Sequence, residues 1–184
     1  MMLISIVILS VVILLSSVSC VTLPEPSRPA PNLAAYLPTP IEVVERMLEL
    51  AEVTPADVVY DLGSGDGRIV IQAAKRHGAR GVGVEIDPKL VWFAQRAARR
   101  EQVESLVTFV KQDALTVDVS PATVVTLYLT RDANLLLRPI LQRQLRPGAR
   151  VISHTHDMGD WVPARIERIR SERGEEHVLY LWQI

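Results

Sequence analysis

The chain has 184 residues, and its 20 basic and 21 acidic side chains leave a formal net charge of -1. This length suffices for one domain with a sizeable core but not for two. The near balance of charge argues against tight nucleic-acid binding, which needs clustered Lys and Arg to contact phosphates. The single cysteine, Cys20, cannot form an internal disulfide, so the fold does not depend on an oxidising compartment.

The chain begins with an uncharged apolar run over residues 3–19, close to the roughly 17–25 residues that a helix needs to cross a bilayer. Only Met1 and Met2 precede this run, so the basic region of a secretory signal peptide is missing. The pattern predicts a hydrophobic membrane anchor or signal segment over residues 1–20, and we expect an uncleaved anchor. Because Cys20 follows the run, a lipoprotein attached through this cysteine is the alternative.

Residues 21–38 are rich in proline and form the next segment. Proline fixes φ and removes a backbone donor, so this composition predicts an extended linker without a core of its own. The folded domain is expected over residues 39–184. Its first helix is predicted from Pro40 to about residue 51, because apolar side chains recur there at intervals of three and four. Thr39 is the expected N-cap, with Pro40 at the first helical position.

Short β-prone runs then alternate with helical segments, which is the order of a parallel sheet covered by helices. Two further β-prone runs, at residues 164–171 and 177–184, flank a polar turn as in an antiparallel hairpin. The expected fold is α/β, a Rossmann-like doubly wound, mostly parallel seven-stranded sheet with a C-terminal antiparallel hairpin. The parallel strands are predicted at residues 57–62, 81–86, 106–111, 122–129 and 150–154, and the intervening helices at residues 68–77, 88–100 and 132–145.

The turn after the first predicted strand contains an acid and three alternating glycines, Asp61, Gly63, Gly65 and Gly67. Ligands of open α/β sheets bind beyond the carboxyl ends of the strands, where glycine lets them approach the backbone. A dinucleotide fingerprint would need Gly or Ala at position 68, where this chain has Arg68. S-adenosylmethionine carries an ammonium and a sulfonium, which suit an acidic strand end. The turn therefore predicts a site for S-adenosylmethionine, with an ordinary glycine-rich turn as the alternative.

Acidic side chains also follow the second and third predicted strands. Glu85 ends the second strand, where a carboxylate can accept hydrogen bonds from both ribose hydroxyls. Asp113 follows the third strand and is available to the adenine amino group, with Ala114 offering its backbone amide. The predicted cofactor site therefore comprises Asp61, Gly63, Ser64, Gly65, Gly67, Glu85, Asp113 and Ala114.

Five short motifs of the chain match one known family. They are DLGSGDGR (residues 61–68), YLPTP (36–40), TLYL (126–129), SH (153–154) and YLW (180–182). Through them the chain resembles, over about residues 36–184, the seven-β-strand lysine methyltransferase family, whose mitochondrial members modify the ATP synthase c subunit and the adenine nucleotide translocase. The resemblance implies an S-adenosylmethionine-dependent methyltransferase that N-methylates a protein lysine. That family also has a hydrophobic segment ahead of the domain, which implies membrane attachment and an integral membrane protein as substrate.

The residues after the fourth and fifth strands are candidates for the acceptor side. The fourth strand lacks the Asn/Asp-Pro-Pro-Tyr/Phe motif of enzymes that methylate nucleic-acid amino groups, which argues against DNA as substrate. A lysine acceptor needs alignment and the loss of one proton, so no dedicated base is required. A metal site at residues 154–157 is a weaker alternative that no second carboxylate cluster supports, and we expect no metal. The candidate catalytic residues are Tyr128, Thr130, Asn134 and His154.

Three functions are compatible with these patterns. A protein-lysine methyltransferase is the expected one, a small-molecule methyltransferase is the enzymatic alternative, and a membrane-attached S-adenosylmethionine-binding protein without turnover is the third. S-adenosylmethionine is made and kept in the cytosol, so we expect the domain to face the cytoplasm. The expected partners are a protein substrate and a membrane, without nucleic acid.

Overall fold

The computed structural model describes Leu33 and residues 36–184. The predicted anchor and most of the predicted linker lie outside these described residues. Within the described part of the chain, no helix is long and apolar enough to cross a membrane. The elements in chain order are α1 Ile41–Leu50, β1 Val58–Leu62, α2 Arg68–His77, β2 Arg80–Glu85, α3 Pro88–Arg100, β3 Val107–Lys111, β4 Val124–Leu127, α4 Arg131–Gln144, β5 Arg150–His154, β6 Arg165–Arg170 and β7 Glu176–Gln183.

The seven strands form one sheet in the order β3-β2-β1-β4-β5-β7-β6. Strands β1 to β5 are mutually parallel, whereas β7 runs antiparallel to both β5 and β6. The predicted fold class is therefore confirmed. Strand order reverses between β1 and β4, and a crevice at the carboxyl ends of these two strands is where such sheets bind ligands.

Helices cover both faces of the sheet. Since successive side chains of a strand point to opposite faces, each buried strand contributes to two apolar clusters. Val59 packs into the cluster formed with α1, α2 and α3, whereas its neighbour Tyr60 packs into the cluster formed with α4. The same alternation separates Val124 from Val125. Strands with both faces buried explain why the sequence shows near-continuous apolar runs there.

The start of α1 differs from the prediction. Pro40, not Thr39, occupies the N-cap position, and its side chain cannot accept a capping hydrogen bond. The buried Thr39 hydroxyl instead lies 3.4 Å from His154 Nδ1 on β5. A tertiary contact of Thr39 has therefore replaced the predicted N-cap hydrogen bond. The cap of α3 is as predicted, since Asp87 Oδ1 accepts from the Lys89 amide at 2.8 Å.

Strand β4 is shorter than predicted and ends at Leu127. Tyr128 and Leu129 continue the β-prone sequence, but both line the crevice at the carboxyl edge of the sheet. The backbone leaves the sheet here before Thr130 begins α4. The predicted strand was too long because Leu129 is apolar and buried although it lies beyond the end of β4.

Candidate active site

A cavity lies at the carboxyl ends of β1, β2, β3 and β4, beside the point where strand order reverses. Seven of the eight residues predicted to bind the cofactor line this cavity, and Gly67 does not. The wall also contains residues 36–39, which precede α1. The seven lining residues are Asp61, Gly63, Ser64, Gly65, Glu85, Asp113 and Ala114.

The glycines of the turn permit two different packing contacts. All three glycines have positive φ, 80° at Gly63, 54° at Gly65 and 79° at Gly67. A Cβ on Gly65 would lie 2.7 Å from the Tyr36 ring, so the lack of a side chain at Gly65 allows this ring to pack over the turn. A Cβ on Gly67 would overlap the Phe109 ring on β3. Gly67 therefore allows α2 to pack close to the sheet instead of lining the cavity.

Asp61 supplies a buried carboxylate at the end of β1. Its Oδ1 accepts from the Thr126 hydroxyl at 2.7 Å. Burial raises the pKa of Asp61, the hydrogen bond from Thr126 opposes this shift, and the nearby carboxylates of Asp66 and Glu85 add to it, so that the pKa is about 7. A bound cation beside Asp61 would favour its charged form, so this position is suited to a positively charged ligand.

Glu85 holds the turns on either side of β2. Its Oε2 accepts from the Gly65 amide at 2.8 Å, and its Oε1 accepts from the amides of Ile86 at 2.8 Å and Asp87 at 2.9 Å. The carboxylate therefore ties the glycine turn to the start of α3. Each carboxylate oxygen can accept more than one hydrogen bond, so these contacts leave capacity for ribose hydroxyls.

Ser64 and Asp113 both line the cavity. The Ser64 hydroxyl is buried, has no hydrogen-bond partner among the described residues and lies towards β2, 2.8 Å from the place that a Cβ on Gly83 would take. Asp113 Oδ1 accepts from the Leu115 amide at 2.9 Å, which fixes the carboxylate after β3. The carboxylates of Asp61, Glu85 and Asp113 fit the ammonium, ribose and adenine groups of S-adenosylmethionine.

Tyr128 is the one acceptor-side candidate that lines the cavity. Its ring centroid lies 4.0 Å from that of His154. Burial, then the neighbouring His177 and His156, lower the pKa of His154 to about 3, so His154 is neutral at physiological pH. His154 Nε2 and His177 Nδ1 are 2.9 Å apart. The buried His154 thus supports Tyr128 from behind and does not reach the cavity wall.

Thr130 and Asn134 lie away from the cavity wall. The Thr130 hydroxyl caps α4 by accepting from the Ala133 amide at 3.2 Å, and it donates to the Leu33 carbonyl at 3.0 Å. Asn134 is buried, and its Nδ2 donates to Ser153 Oγ at 3.0 Å. Thr130 therefore ties the start of α4 to Leu33, whereas Asn134 ties α4 to β5. Their roles in positioning an acceptor stay predictions.

The predicted set lacked several residues of the cavity wall, among them Tyr36, Asp66 and Arg68. Arg68 forms an ion pair with Asp66 through Nη2 and Oδ2 at 2.7 Å, and its Nη1 donates to the Thr39 carbonyl at 2.8 Å. Burial and the Asp66 carboxylate raise the pKa of the Tyr36 hydroxyl above its usual value. These contacts hold the segment before α1 over the glycine turn. The YLPTP motif at residues 36–40 was the available sequence signal, but it carried no indication of which turn the segment covers.

Several known proteins have sequences similar to this chain. A match to the ANTKMT methyltransferase domain extends over residues 61–165. A protein-lysine N-methyltransferase of Saccharolobus islandicus is 43% identical over 151 residues, which are 81% of this chain and 92% of that protein. A Homo sapiens lysine N-methyltransferase of the ATP synthase c subunit is 34% identical over 131 residues, or 71% of this chain and 55% of that protein. The chain thus spans little more than half the length of this human relative.

Solved structures give the same fold. An RNA methyltransferase from Salinibacter ruber, in complex with S-adenosyl-L-homocysteine, is 55% identical with a TM-score of 0.75, covering 80% of this chain and 94% of that one. The fold, the cavity and these similarities define an S-adenosylmethionine-dependent methyltransferase of the Rossmann-like class. Within that class, the chain belongs to the ANTKMT methyltransferase domain family.

Proposed function

We propose that this protein transfers the methyl group of S-adenosylmethionine to the side-chain amine of a lysine in a protein substrate. The observation that carries the proposal is the composition of the cavity wall, where aromatic rings lie beside the carboxylates of the cofactor half. Tyr36 and Tyr128 both line this cavity. Aromatic faces suit the aliphatic stem and amine of lysine. The relatives in Saccharolobus islandicus and Homo sapiens, both lysine N-methyltransferases, support the same acceptor.

The residues of this chain would act mainly by binding and alignment. Asp61, Glu85 and Asp113 would hold the cofactor, which when bound supplies an electrophilic methyl group on a sulfonium. Burial, then Glu175, raise the pKa of the Tyr128 hydroxyl, so Tyr128 stays protonated near neutral pH. Tyr128 therefore does not act as a base. The lysine ammonium loses its proton to solvent, and Tyr128 orients the resulting neutral amine. Proximity and alignment of this kind account for a large part of the rate enhancement of a two-substrate reaction.

We also propose that residues 3–19 attach the domain to a membrane, with the domain on the cytoplasmic side and an integral membrane protein as substrate. The absence of charge along this apolar run supports the proposal. Fractionation of cells expressing the full chain, followed by protease treatment of intact cells and of lysates, tests it. Protection in intact cells and loss in lysates are expected. Extraction by salt alone would contradict an anchor, and metabolic labelling with palmitate would reveal the lipoprotein alternative at Cys20.

The acceptor is tested by incubating the full chain with methyl-labelled S-adenosylmethionine and separated membrane-protein, RNA and small-molecule fractions of the host. Label in protein, recovered as methyl-lysine after hydrolysis, is the expected result. The Glu85→Ala variant should give no label. Label that RNase removes would contradict the proposal. Cofactor binding without release of S-adenosylhomocysteine in any fraction would indicate a binding protein without turnover.

RNA is the second candidate acceptor. The specific observation in its favour is the similarity to the RNA methyltransferase from Salinibacter ruber, at 55% identity. Against it, the described residues of the cavity wall include a single guanidinium, that of Arg68, and the acidic groups around it would repel phosphates. The RNA fraction of the labelling experiment separates the two acceptors, and low-molecular-weight label would favour the small-molecule alternative. The five carboxylates of the wall belong to Asp61, Asp66, Glu85, Asp87 and Asp113.

A further inference from the structure

The outer side of α3 exposes two large aromatic side chains. Trp92 is 49% exposed and Phe93 is 55% exposed, and their ring centroids lie 5.0 Å apart in an edge-to-face arrangement. The opposite side of the helix is buried through Val91, Ala94 and Ala98. Single exposed apolar residues are ordinary, but adjacent aromatic side chains on one helix indicate a contact surface.

Positive charge surrounds these aromatic rings. Arg96 lies with its guanidinium carbon 4.8 Å from the Trp92 ring centroid, and Lys89 and Arg99 are exposed on the same helix. Among the residues that the structure describes, none of these three basic side chains is paired with a carboxylate, whereas the nearby Glu101 is paired with Lys75 at 2.7 Å. Their charge is therefore available to an anionic partner.

The chain enters the domain beside this helix. Tyr36 is 51% exposed and Leu37 is 65% exposed, and Tyr36 lines one groove together with Trp92 and Phe93. The same Tyr36 and Leu37 also line the cofactor cavity. The apolar run at residues 3–19 precedes this entry point in the chain, so a membrane that holds the run lies within reach of the linker.

We propose that the surface formed by Tyr36, Leu37, Trp92, Phe93, Arg96 and Arg99, here named the α3 face, docks onto the surface of a bilayer with anionic headgroups. Aromatic rings settle at the level of the headgroups, and arginines beside them meet the lipid phosphates. Docking would turn the mouth of the cavity towards the membrane plane. This inference rests on the proposed membrane attachment, and it adds a second contact whose chemistry differs from that of the apolar run.

The distribution of the remaining exposed apolar residues supports a directional surface. Leu136 is exposed on α4, which covers the other face of the sheet, and Val162 and Ile166 lie in the region of the C-terminal strands. Arg143 and Arg146 are exposed near the end of α4 and form no ion pair within the described residues. These residues provide controls of matched chemistry away from the α3 face.

The test uses the full chain reconstituted in phosphatidylcholine vesicles with about 30% phosphatidylglycerol, and measures quenching of tryptophan fluorescence by brominated acyl chains. Of the three tryptophans in the chain, Trp182 is fully buried and Trp161 packs on it at 5.6 Å between centroids. We expect strong quenching in the parent protein and loss of most of it in Trp92→Phe. Equal quenching in both proteins would overturn the proposal.

Charge and apolar variants sharpen the result. Each arginine replaced in Arg96→Glu/Arg99→Glu is expected to lower the ratio of docked to undocked domain about fivefold, and the effect should grow with phosphatidylglycerol content. The Phe93→Glu variant, which keeps Trp92 as the reporter, should lose most of the quenching. The controls Arg143→Glu/Arg146→Glu and Leu136→Glu should behave like the parent. Control variants that reduce quenching as much as the α3 variants would contradict a specific face.

Two outcomes would assign the α3 face differently. If a short single-stranded RNA perturbs Trp92 fluorescence and vesicles do not, the α3 face is a nucleic-acid surface and the proposal is wrong. If the chain does not partition into vesicles, both membrane contacts fail. Methyl transfer to lysine is assayed separately on a soluble protein acceptor, so its failure leaves the docking result intact. Cofactor binding by each variant serves as the control for folding.

Discussion

The two halves of the cavity are built in different ways. The cofactor half uses side chains at or just beyond the carboxyl ends of β1, β2 and β3, with Glu85 Oε2 2.8 Å from the Gly65 amide. The acceptor half depends on contacts between distant segments, in which Tyr128 rests on His154 and His154 meets both Thr39 and His177. We infer that substitutions in the first half act on cofactor binding, and substitutions in the second act on methyl transfer and stability.

The largest effect is expected from Glu85→Ala, on the affinity of the cofactor half for S-adenosylmethionine. Hydrogen bonds to a charged group contribute about 1.5–3 kcal/mol each, so losing two ribose contacts should weaken S-adenosylmethionine binding by about 100-fold or more. The variant also removes the acceptor of the Gly65 amide. Calorimetric titration measures the change, with Glu85→Gln as a matched control that keeps one acceptor and should lose less. Binding by Glu85→Ala close to that of the parent would contradict the assigned site.

His154→Leu should have a large effect in the acceptor half. The substitution removes the ring beneath Tyr128 and leaves the partly buried His177 Nδ1 without its partner at 2.9 Å, for which we expect a loss of about 3 kcal/mol in unfolding free energy. Urea unfolding measures it. Methyl transfer should fall while cofactor binding is retained by the folded protein. The partly exposed control His156→Gln should change stability little, and a parallel loss of cofactor binding in His154→Leu would argue against separate halves.

The same histidine predicts a pH dependence of stability. The pKa of His154 falls to about 3 in the folded protein, from an ordinary value of 6.5, so the folded state binds fewer protons than the unfolded state between these values. Its contribution is complete above about pH 6.5 and is lost as pH falls, by about 1.4 kcal/mol for each unit. Urea unfolding at pH 7 and pH 5 should show a larger loss in the parent than in His154→Leu.

The affinity for S-adenosylmethionine should depend on pH through Asp61. Its pKa is about 7 in the free protein, and a cationic ligand binds the deprotonated form, so binding releases a proton below that pH. Affinity should be constant above about pH 8 and fall up to tenfold per unit below about pH 7. Titrations between pH 6 and pH 8.5 test this. Asp61→Asn should bind weakly without the slope, whereas Asp113→Asn should keep it; a slope retained in Asp61→Asn would assign it to another group.

Tyr128 gives a smaller and more selective effect. Tyr128→Ala removes the ring that lines the cavity, and we expect kcat to fall about tenfold or more through lost alignment while cofactor affinity stays unchanged. Tyr128→Phe keeps the ring over His154 and should retain most of the activity, because no proton is taken by the hydroxyl. Steady-state kinetics with methyl-labelled cofactor compare the two. Inactive Tyr128→Phe would instead make the hydroxyl part of the chemistry.

The smallest effect is expected at Thr130. Loss of the helix cap in Thr130→Ala should cost about 1 kcal/mol of stability, because Thr130 Oγ1 accepts from the Ala133 amide. Thermal unfolding measures the loss, and Thr130→Ser should restore the cap. Activity of the folded Thr130→Ala protein should equal that of the parent if the residue is only a cap. A lower kcat at unchanged stability would support the predicted role in acceptor positioning.

The sequence predicted the strands and helices closely because their cause is local. Apolar periodicity and helix-capping residues such as Asp87 act within a few positions of each other, and each βα unit repeats the same pattern. The sequence also predicted that the acids at the ends of three successive strands lie together, because parallel strands bring their carboxyl ends to one edge of the sheet. The errors fall where a distant segment intervenes, as at Thr39, whose hydroxyl meets His154 in place of capping α1.

By itself, the sequence determined the fold class and the carboxylates of Asp61, Glu85 and Asp113 that line the cavity, since both follow from short-range patterns along the strands. Only the tertiary structure decided that Tyr36 covers Gly65, that His154 lies buried behind Tyr128, and that Trp92 lies exposed beside the chain entry. The physical reason is that such contacts join segments far apart in the chain. Their formation depends on packing of the whole sheet, and no periodicity within either segment records it.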